Sequence, residues 1–342
     1  MPLLHARYKK PCVVIGAGIW TANVYLGNPH VAQIWSFRRH LPVLLSLTWW
    51  RVLWMLHRTR PSPIYVCERH PRQLIRIRRL LMLSGISKSR YLFVTDMPTE
   101  GAEHWVDRDV RFAGRTPAAL RAADYPAPQT GCVRAPQLWV SDAERAERDA
   151  WIRAQGWSDR RLVLLQPGNH RSMSKRRERW KRLNADDKAW PTATWVQLLK
   201  KIHAQMPDAL IVLCGAPIEA EMLQELQTAT GLAEVVVAGL PLRRLFALCE
   251  LGHSMISVDT GPAHAAAAVG LPLVVMYGAE APRFWLPRSP SGSPVVGVGG
   301  PPASMRVDQI PLDDVFDAWR AVVAKLQKPV SLDTPSREST QA

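Results

Sequence analysis

Apolar residues along this chain come in two alternating forms: short unbroken runs, and longer stretches where they recur every three or four positions. The runs Ile64 to Cys67, Tyr91 to Val94, Leu162 to Leu165, Ala209 to Cys214, Val235 to Val237, Met255 to Val258 and Leu273 to Met276 read as buried strands. Pro71 to Leu83, Ser141 to Gly156, Trp190 to His203, Glu219 to Ala229, Leu240 to Cys249 and Leu312 to Leu326 read as helices. Strands alternating with helices predict an α/β chain. A further strand is expected from Cys12, running into Gly16-x-Gly18, and one long helix from Leu41 to Arg58. Between Thr116 and Gln137 the chain is rich in Ala, Pro and Gly without a period, as a crossover between two halves would be.

The chain is organised around Ser257 to Pro272. An apolar run reaches the polar turn Asp259-Thr260, Gly261 and Pro262 open a short Ala-rich helix, and Gly270 closes it before the next run. The helix start beside Asp259, Thr260 and Gly261 offers backbone N–H groups and a positive dipole end, which favour a phosphate.

With 342 residues, 47% of them hydrophobic, the chain has room for two domains. Five scattered cysteines without CxxC spacing indicate neither a disulfide framework nor a zinc site and fit a reducing cytoplasm. Met1 to Lys10 has no apolar run of the kind a secretory signal needs. The lipophilic stretch Leu41 to Leu56 is shorter than the ~20 residues of a spanning helix. It reads as a buried helix, with a membrane-facing helix as the alternative.

Charge sharpens the picture, because the formal +15 is concentrated: residues 1–90 hold 15 Lys or Arg against the single acid Glu68. That half suits an anionic partner: nucleic acid, an anionic membrane surface or a phosphorylated acceptor. The alternative is a basic surface that only aids solubility. Arg72, Arg76 and Arg79 share one helix face, open to an anionic acceptor, a lipid surface or solvent alone. The Arg-rich insert from Asn169 to Asp187 reads as a loop at a cleft mouth or a solvated loop. Gly16-x-Gly18 lacks the third Gly of a dinucleotide fingerprint, Thr21 standing there, and reads as a plain turn.

Asp259, Thr260, Gly261, His264, Ala266 to Ala268, Gly270, Pro272 and Gly278 together resemble the signature of the family 9 glycosyltransferases, the ADP-heptose:lipopolysaccharide heptosyltransferases and their relatives. The likeness extends to Gly27-Asn28-Pro29-His30-Val31, to His104-Trp105-Val106-Asp107-Arg108 and to Gln166-Pro167-Gly168. It continues in Lys188-Ala189-Trp190-Pro191, in Gly215-Ala216-Pro217-Ile218-Glu219, and in Pro282, Trp285 and Pro287. The resemblance implies a GT-B fold, two Rossmann-like domains facing across a cleft. Residues 1–140 would form the acceptor side, 141–328 the nucleotide-sugar side, and 329–342 a disordered tail.

The resemblance also implies roles. Thr260, Gly261 and the helix start would cradle the donor diphosphate, and Lys188 would offset charge on the leaving group. Glu219 would hold ribose hydroxyls, Asp259 would bind sugar hydroxyls or orient neighbours, and His264 would donate to phosphate. The family's base is an Asp in a Gly-Asp loop after the first strand. No Gly-Asp dipeptide occurs here, so the N-terminal domain is expected to be incomplete at its start and the base has no carried-over position. The acids nearest the expected acceptor cleft are Asp96, Glu100 and Asp107. Neither a cofactor nor a metal is expected, and the reaction would be an inverting transfer. The expected partners are a nucleotide sugar and an anionic glycolipid, at the cytoplasmic face of the inner membrane and without nucleic acid. A donor-binding homologue without turnover is the alternative.

Overall fold

A computed structural model describes residues 1–37, 46–126, 134–169 and 187–327. Most of the Arg-rich insert, part of the crossover loop, the start of the expected long helix and the polar tail lie outside the described residues.

The N-terminal portion runs α1 (Pro2–Tyr8), β1 (Cys12–Ala17), α2 (Ile19–Tyr25), β2 (Val31–Phe37), α3 (Leu47–Thr59), β3 (Ile64–Val66), α4 (Pro71–Leu83), β4 (Tyr91–Phe93) and α5 (Trp105–Ala113). β1 pairs with β2 and β3 with β4, both in parallel. At the start of α3 Ser46 takes the N-cap, its Oγ accepting from Trp49 N at 3.3 Å. Trp49, Val52 and Leu56, spaced by three and four, form the buried stripe of α3. They meet Leu80 and Leu81 of α4 and Val66 and Phe93 of the strands in one core cluster. Arg7 of α1 is a buried cation, satisfied by the carbonyls of Ala113, Arg115 and Tyr125, which tie α1 to the chain after α5.

The C-terminal portion runs α6 (Asp142–Ala154), β5 (Arg161–Gln166), α7 (Thr192–Gln205), β6 (Ala209–Gly215), α8 (Ala220–Thr230), β7 (Val235–Gly239), α9 (Leu242–Leu251) and β8 (Ser254–Val258). It continues with α10 (Gly261–Ala268), β9 (Leu273–Tyr277), α11 (Pro282–Trp285), β10 (Val295–Gly299) and α12 (Leu312–Gln327). Its parallel sheet has the order β10-β9-β8-β5-β6-β7. Strand residues alternate between two cores, as the pleat requires. Val163, Leu165, Ile211 and Leu213 pack against α7, α8 and α12; Leu162, Leu164, Leu210 and Val212 pack toward α6, α9 and α10. Each fully buried Leu or Ile contributes about 1.5–3 kcal/mol. That two-sided burial is why these strands are unbroken apolar runs. The edge strand β10, half-buried and containing two glycines, has no such run.

The chain builds outward from β5 through β6 to β7, then returns to β8 on the other side of β5. This reversal is a topological switch point, where adjacent loops part and leave a ligand crevice at the carboxyl ends of the strands. The two portions are packed together at α2: Trp20 and Val24 lie against Phe246, Ala247 and Ala265. Arg243 donates to the carbonyls of Asn23 and Trp139 and grips both carboxylate oxygens of Glu144. The Arg243 hydrogen bonds outweigh burial and hold Glu144 down at about 2.

Candidate functional site

At the switch point β8 ends, Thr260 takes the N-cap of α10 in extended conformation, and Pro262 sits in the first turn. The Thr260 side chain does not cap the helix; its hydroxyl lies 3.3 Å from Ser257 Oγ instead. Lys188 reaches across from the segment before α7, its Nζ donating to Asp259 O at 2.8 Å and to Asp259 Oδ2 at 2.7 Å. His264, one helical turn on, brings Nε2 to 3.6 Å from Asp259 Oδ1. Burial pushes the Asp259 carboxyl up, but His264 and Lys188 outweigh it and leave it below the usual carboxylate range. The result is a carboxylate flanked by two nitrogen donors at the positive end of a helix.

The position of Lys188 depends on a glycine at the end of β9. Asp187 O accepts from Val307 N at 2.7 Å, and Asp187 Oδ2 accepts from Ala279 N at 3.2 Å. A Cβ on Gly278 would stand 2.4 Å from Asp187 O, so the Lys188 segment can lie this close only over glycine. Two strands from β8, at the end of β6, Glu219 is buried and its Oε2 accepts from Ala216 N at 2.8 Å. At the end of β5, between them, Gln166 is buried and its Oε1 finds no hydrogen-bond partner among the described residues.

The N-terminal portion supplies the opposite wall. A Cβ on Gly261 would meet the Trp20 ring at 2.8 Å, so α2 leans directly on the start of α10. Trp105 stacks on Trp285 with centroids 6.2 Å apart and sets its edge to His264 at 6.1 Å. His104 Nε2 donates to Leu286 O at 2.9 Å while Nδ1 accepts from Val106 N at 3.2 Å. Burial is the main cause that lowers the His104 pKa. Arg288 forks onto Asp107 at 2.9 and 2.7 Å. The edge of this wall is therefore bolted by α5 on one side and the α11 loop on the other.

The carboxylates Asp96, Glu100, Asp107 and Asp109 of the N-terminal portion are held in different ways. Asp96 is exposed and pairs with Arg78 at 3.0 Å; Glu100 is exposed and pairs with Arg111 at 3.1 Å. Asp107 is held by Arg288 and Arg134, and the Arg288 hydrogen bonds, opposed by burial, bring it below the carboxylate range. Asp109 differs from these. It pairs with Arg69 at 2.9 Å, and burial outweighs that pairing and raises its pKa. Arg69 in turn lies over the Trp285 ring at 5.6 Å. Among the described residues no group of three or more His, Cys, Asp or Glu is placed to hold a metal ion.

The model of glycosyltransferase family 9 (heptosyltransferase) matches residues 94–304. The chain belongs to this family. It is 31% identical over 106 residues to lipopolysaccharide heptosyltransferase 3 of Escherichia coli, an alignment spanning 30% of this chain and 31% of that protein. The chain thus spans about a third of the length of the relative that it matches. E. coli ADP-heptose lps heptosyltransferase II aligns over 96% of this chain and 94% of its own, with a TM-score of 0.65 and 19% identity. The family 9 glycosyl transferase of Veillonella parvula DSM 2008 aligns over 91% and 88%, with a TM-score of 0.66 and 14% identity. E. coli heptosyltransferase WaaC with ADP aligns over 91% and 99%, with a TM-score of 0.55 and 16% identity. At such identities the likeness establishes the fold, which is GT-B.

In this family 9 glycosyltransferase, Lys188, Asp259, Thr260, Gly261 and His264 come together at one helix start, and Glu219 stands on the same rim of the sheet. Asp96 and Glu100 lie on the N-terminal portion in surface ion pairs. Sequence reasoning passed over Asp109, Trp20 and Arg69. The signal for Asp109 was its place four residues after Trp105, which puts both on one face of α5. Trp20 and Arg69 had no local signal, since each acts through a partner more than 200 residues away.

Proposed function

We propose that this chain transfers a sugar, heptose from ADP-heptose, to a lipopolysaccharide core or related anionic glycolipid, by metal-independent inverting displacement. Residues 1–140 form the acceptor side and residues 141–328 the donor side. The observation that carries the reading is the set of Lys188, His264 and the uncapped start of α10 around Asp259, at the switch point of a doubly wound sheet. This is a cation-rich, N–H-rich corner suited to a diphosphate. Thr260 and Gly261 bring the backbone to the phosphates, Lys188 and His264 offset the charge that grows on the leaving nucleoside diphosphate, and Glu219 holds the ribose hydroxyls. Asp259 orients Lys188 and His264 and offers its remaining acceptor capacity to sugar hydroxyls.

In the transfer, an acceptor hydroxyl attacks the anomeric carbon from the face opposite the diphosphate. The new C–O bond forms as the bond to the diphosphate breaks, and a base takes the hydroxyl proton. Asp96 and Glu100 are exposed in surface ion pairs, and Arg288 lowers the proton affinity of Asp107; Asp109 also pairs with an arginine, Arg69, but its burial raises its proton affinity and suits it better to the task. The site acts in the cytoplasm, at the inner face of the inner membrane, without nucleic acid.

The test is calorimetry with ADP and ADP-heptose on the wild type, Lys188→Ala and Thr260→Val, followed by mass spectrometry of the core oligosaccharide from a deletion strain. Both substitutions are expected to weaken binding, and the deletion to shorten the core by the transferred sugar. Unchanged affinity in both variants would sink the pocket. Donor binding with an unaltered core would favour a nucleotide-sugar-binding homologue without transferase activity.

A further inference from the structure

The outer faces of α3 and α4 carry a surface that the cleft does not use. On α3 the buried stripe of Trp49, Val52 and Leu56 leaves the opposite stripe of Leu47, Trp50, Arg51, Trp54 and Arg58 exposed, with Leu47 at 86% and Trp54 at 57%. On α4, Leu80 and Leu81 turn inward while Ile75, Met82 and Leu83 are exposed, Met82 at 68%. Between them stand the exposed Arg72, Arg76 and Arg79, at the spacings that keep one helix face. Both helices turn their buried stripes into the same core cluster, so their exposed stripes share the outer side of that layer. Arg78 is oriented otherwise, lying over Phe93 and pairing with Asp96.

We propose that this α3–α4 face docks on the surface of an anionic lipid bilayer. The chemistry selects that occupant. Large apolar side chains exposed in a group mark an interaction surface rather than an ordinary solvated face. Trp and Leu interleaved with Arg are what an in-plane interfacial helix presents, the rings entering the headgroup boundary and the guanidinium groups meeting phosphates. The two helices hold six Arg and no Asp or Glu. A second copy of this chain would bring the same positive face and be repelled. Nucleic acid would use the arginines but would gain nothing from exposed Leu47, Ile75, Met82 and Leu83. Among the described residues no helix is long and apolar enough to cross a membrane, so these helices lie in the plane of the surface. The surface shares no residue with the donor site; its occupant rests on the proposed action at the inner membrane, and ADP affinity, which the docking variants should keep, distinguishes failure of docking from failure of that reading.

The experiment is flotation of the full chain with vesicles of phosphatidylethanolamine and phosphatidylglycerol at 7:3, against vesicles of phosphatidylcholine alone. The protein is expected to float with the anionic vesicles and not with the neutral ones, and to be released as salt rises from about 0.1 to 0.5 M. Trp50→Ala/Trp54→Ala and Arg72→Gln/Arg76→Gln/Arg79→Gln are each expected to reduce binding at least tenfold. Both should keep the wild-type thermal midpoint and ADP affinity, which separates lost docking from lost folding. If a variant melts early, Leu47→Ser, Met82→Ser and Leu83→Ser at the most exposed positions take its place. Three results would overturn the proposal: no flotation with anionic vesicles, flotation that the substitutions leave unchanged, or Trp50/Trp54-dependent self-association in sedimentation without vesicle binding.

Discussion

Replacing Lys188 with alanine separates the part of its charge that Asp259 uses from the part a donor diphosphate would feel. Two unit charges 4 Å apart interact by about 4 kcal/mol at an effective dielectric constant of about 20. Asp259 already sits 2.7 Å from the ammonium, and the Lys188 side chain is 20% exposed, so roughly half of that interaction is left for the phosphates. A loss of about 2 kcal/mol corresponds to roughly thirtyfold weaker ADP binding. The same substitution leaves Asp259, 11% exposed, with His264 alone among the three. Removing one partner of a fully buried pair costs about 3–5 kcal/mol, and partial exposure brings the expected loss of stability here to about 1–2 kcal/mol. Calorimetry with ADP reads the first quantity and urea denaturation at constant m-value the second. Asp259→Asn provides the opposing control: it removes a carboxylate from the phosphate corner and frees the ammonium, so ADP alone should bind more tightly by several-fold. If Lys188→Ala lowers stability while ADP affinity stays within twofold of wild type, Lys188 serves only as the partner of Asp259 and the electrostatic reasoning fails.

Gly278→Ala places a methyl group 2.4 Å from the Asp187 carbonyl. It should displace the Lys188 segment and weaken ADP binding along with stability, by about 1–3 kcal/mol in a denaturation curve; a wild-type profile would show that the close approach is dispensable. Asp109→Asn is expected to lower the transfer rate by about 10²–10⁴ with ADP affinity unchanged, and a rate within threefold of wild type would remove Asp109 as the base. Glu144 has its folded pKa depressed to about 2, so its contribution is present above its unfolded value near 4.5 and is lost as pH falls from there toward 2. Allowing for solvent, Glu144→Gln should cost about 1–2 kcal/mol at pH 7 and flatten the acid limb of the stability curve below pH 5. Parallel acid limbs in the two proteins would show that the Arg243 contact does not hold the carboxylate.

What the sequence by itself determined is the order of elements in the second half and the chemistry of each strand end. The unbroken runs at Leu162, Ala209, Met255 and Leu273 could only be strands covered on both faces, because each alternate residue feeds a different core. Gly261, Pro262 and Gly270 marked the ends of α10 by backbone preference alone. These signals are local, carried within about ten residues. The tertiary structure decided what lies far apart in the chain. That Lys188 faces Asp259, that Gly278 makes room for Asp187, and that Trp105 stacks on Trp285 follow from the crossover returning the chain beside β5. A pKa raised at Asp109 and lowered at Asp107, two positions apart on α5, likewise depends on which arginine and how much water each carboxylate meets. Helical spacing says which residues share a face; only packing against the second half says what that face touches.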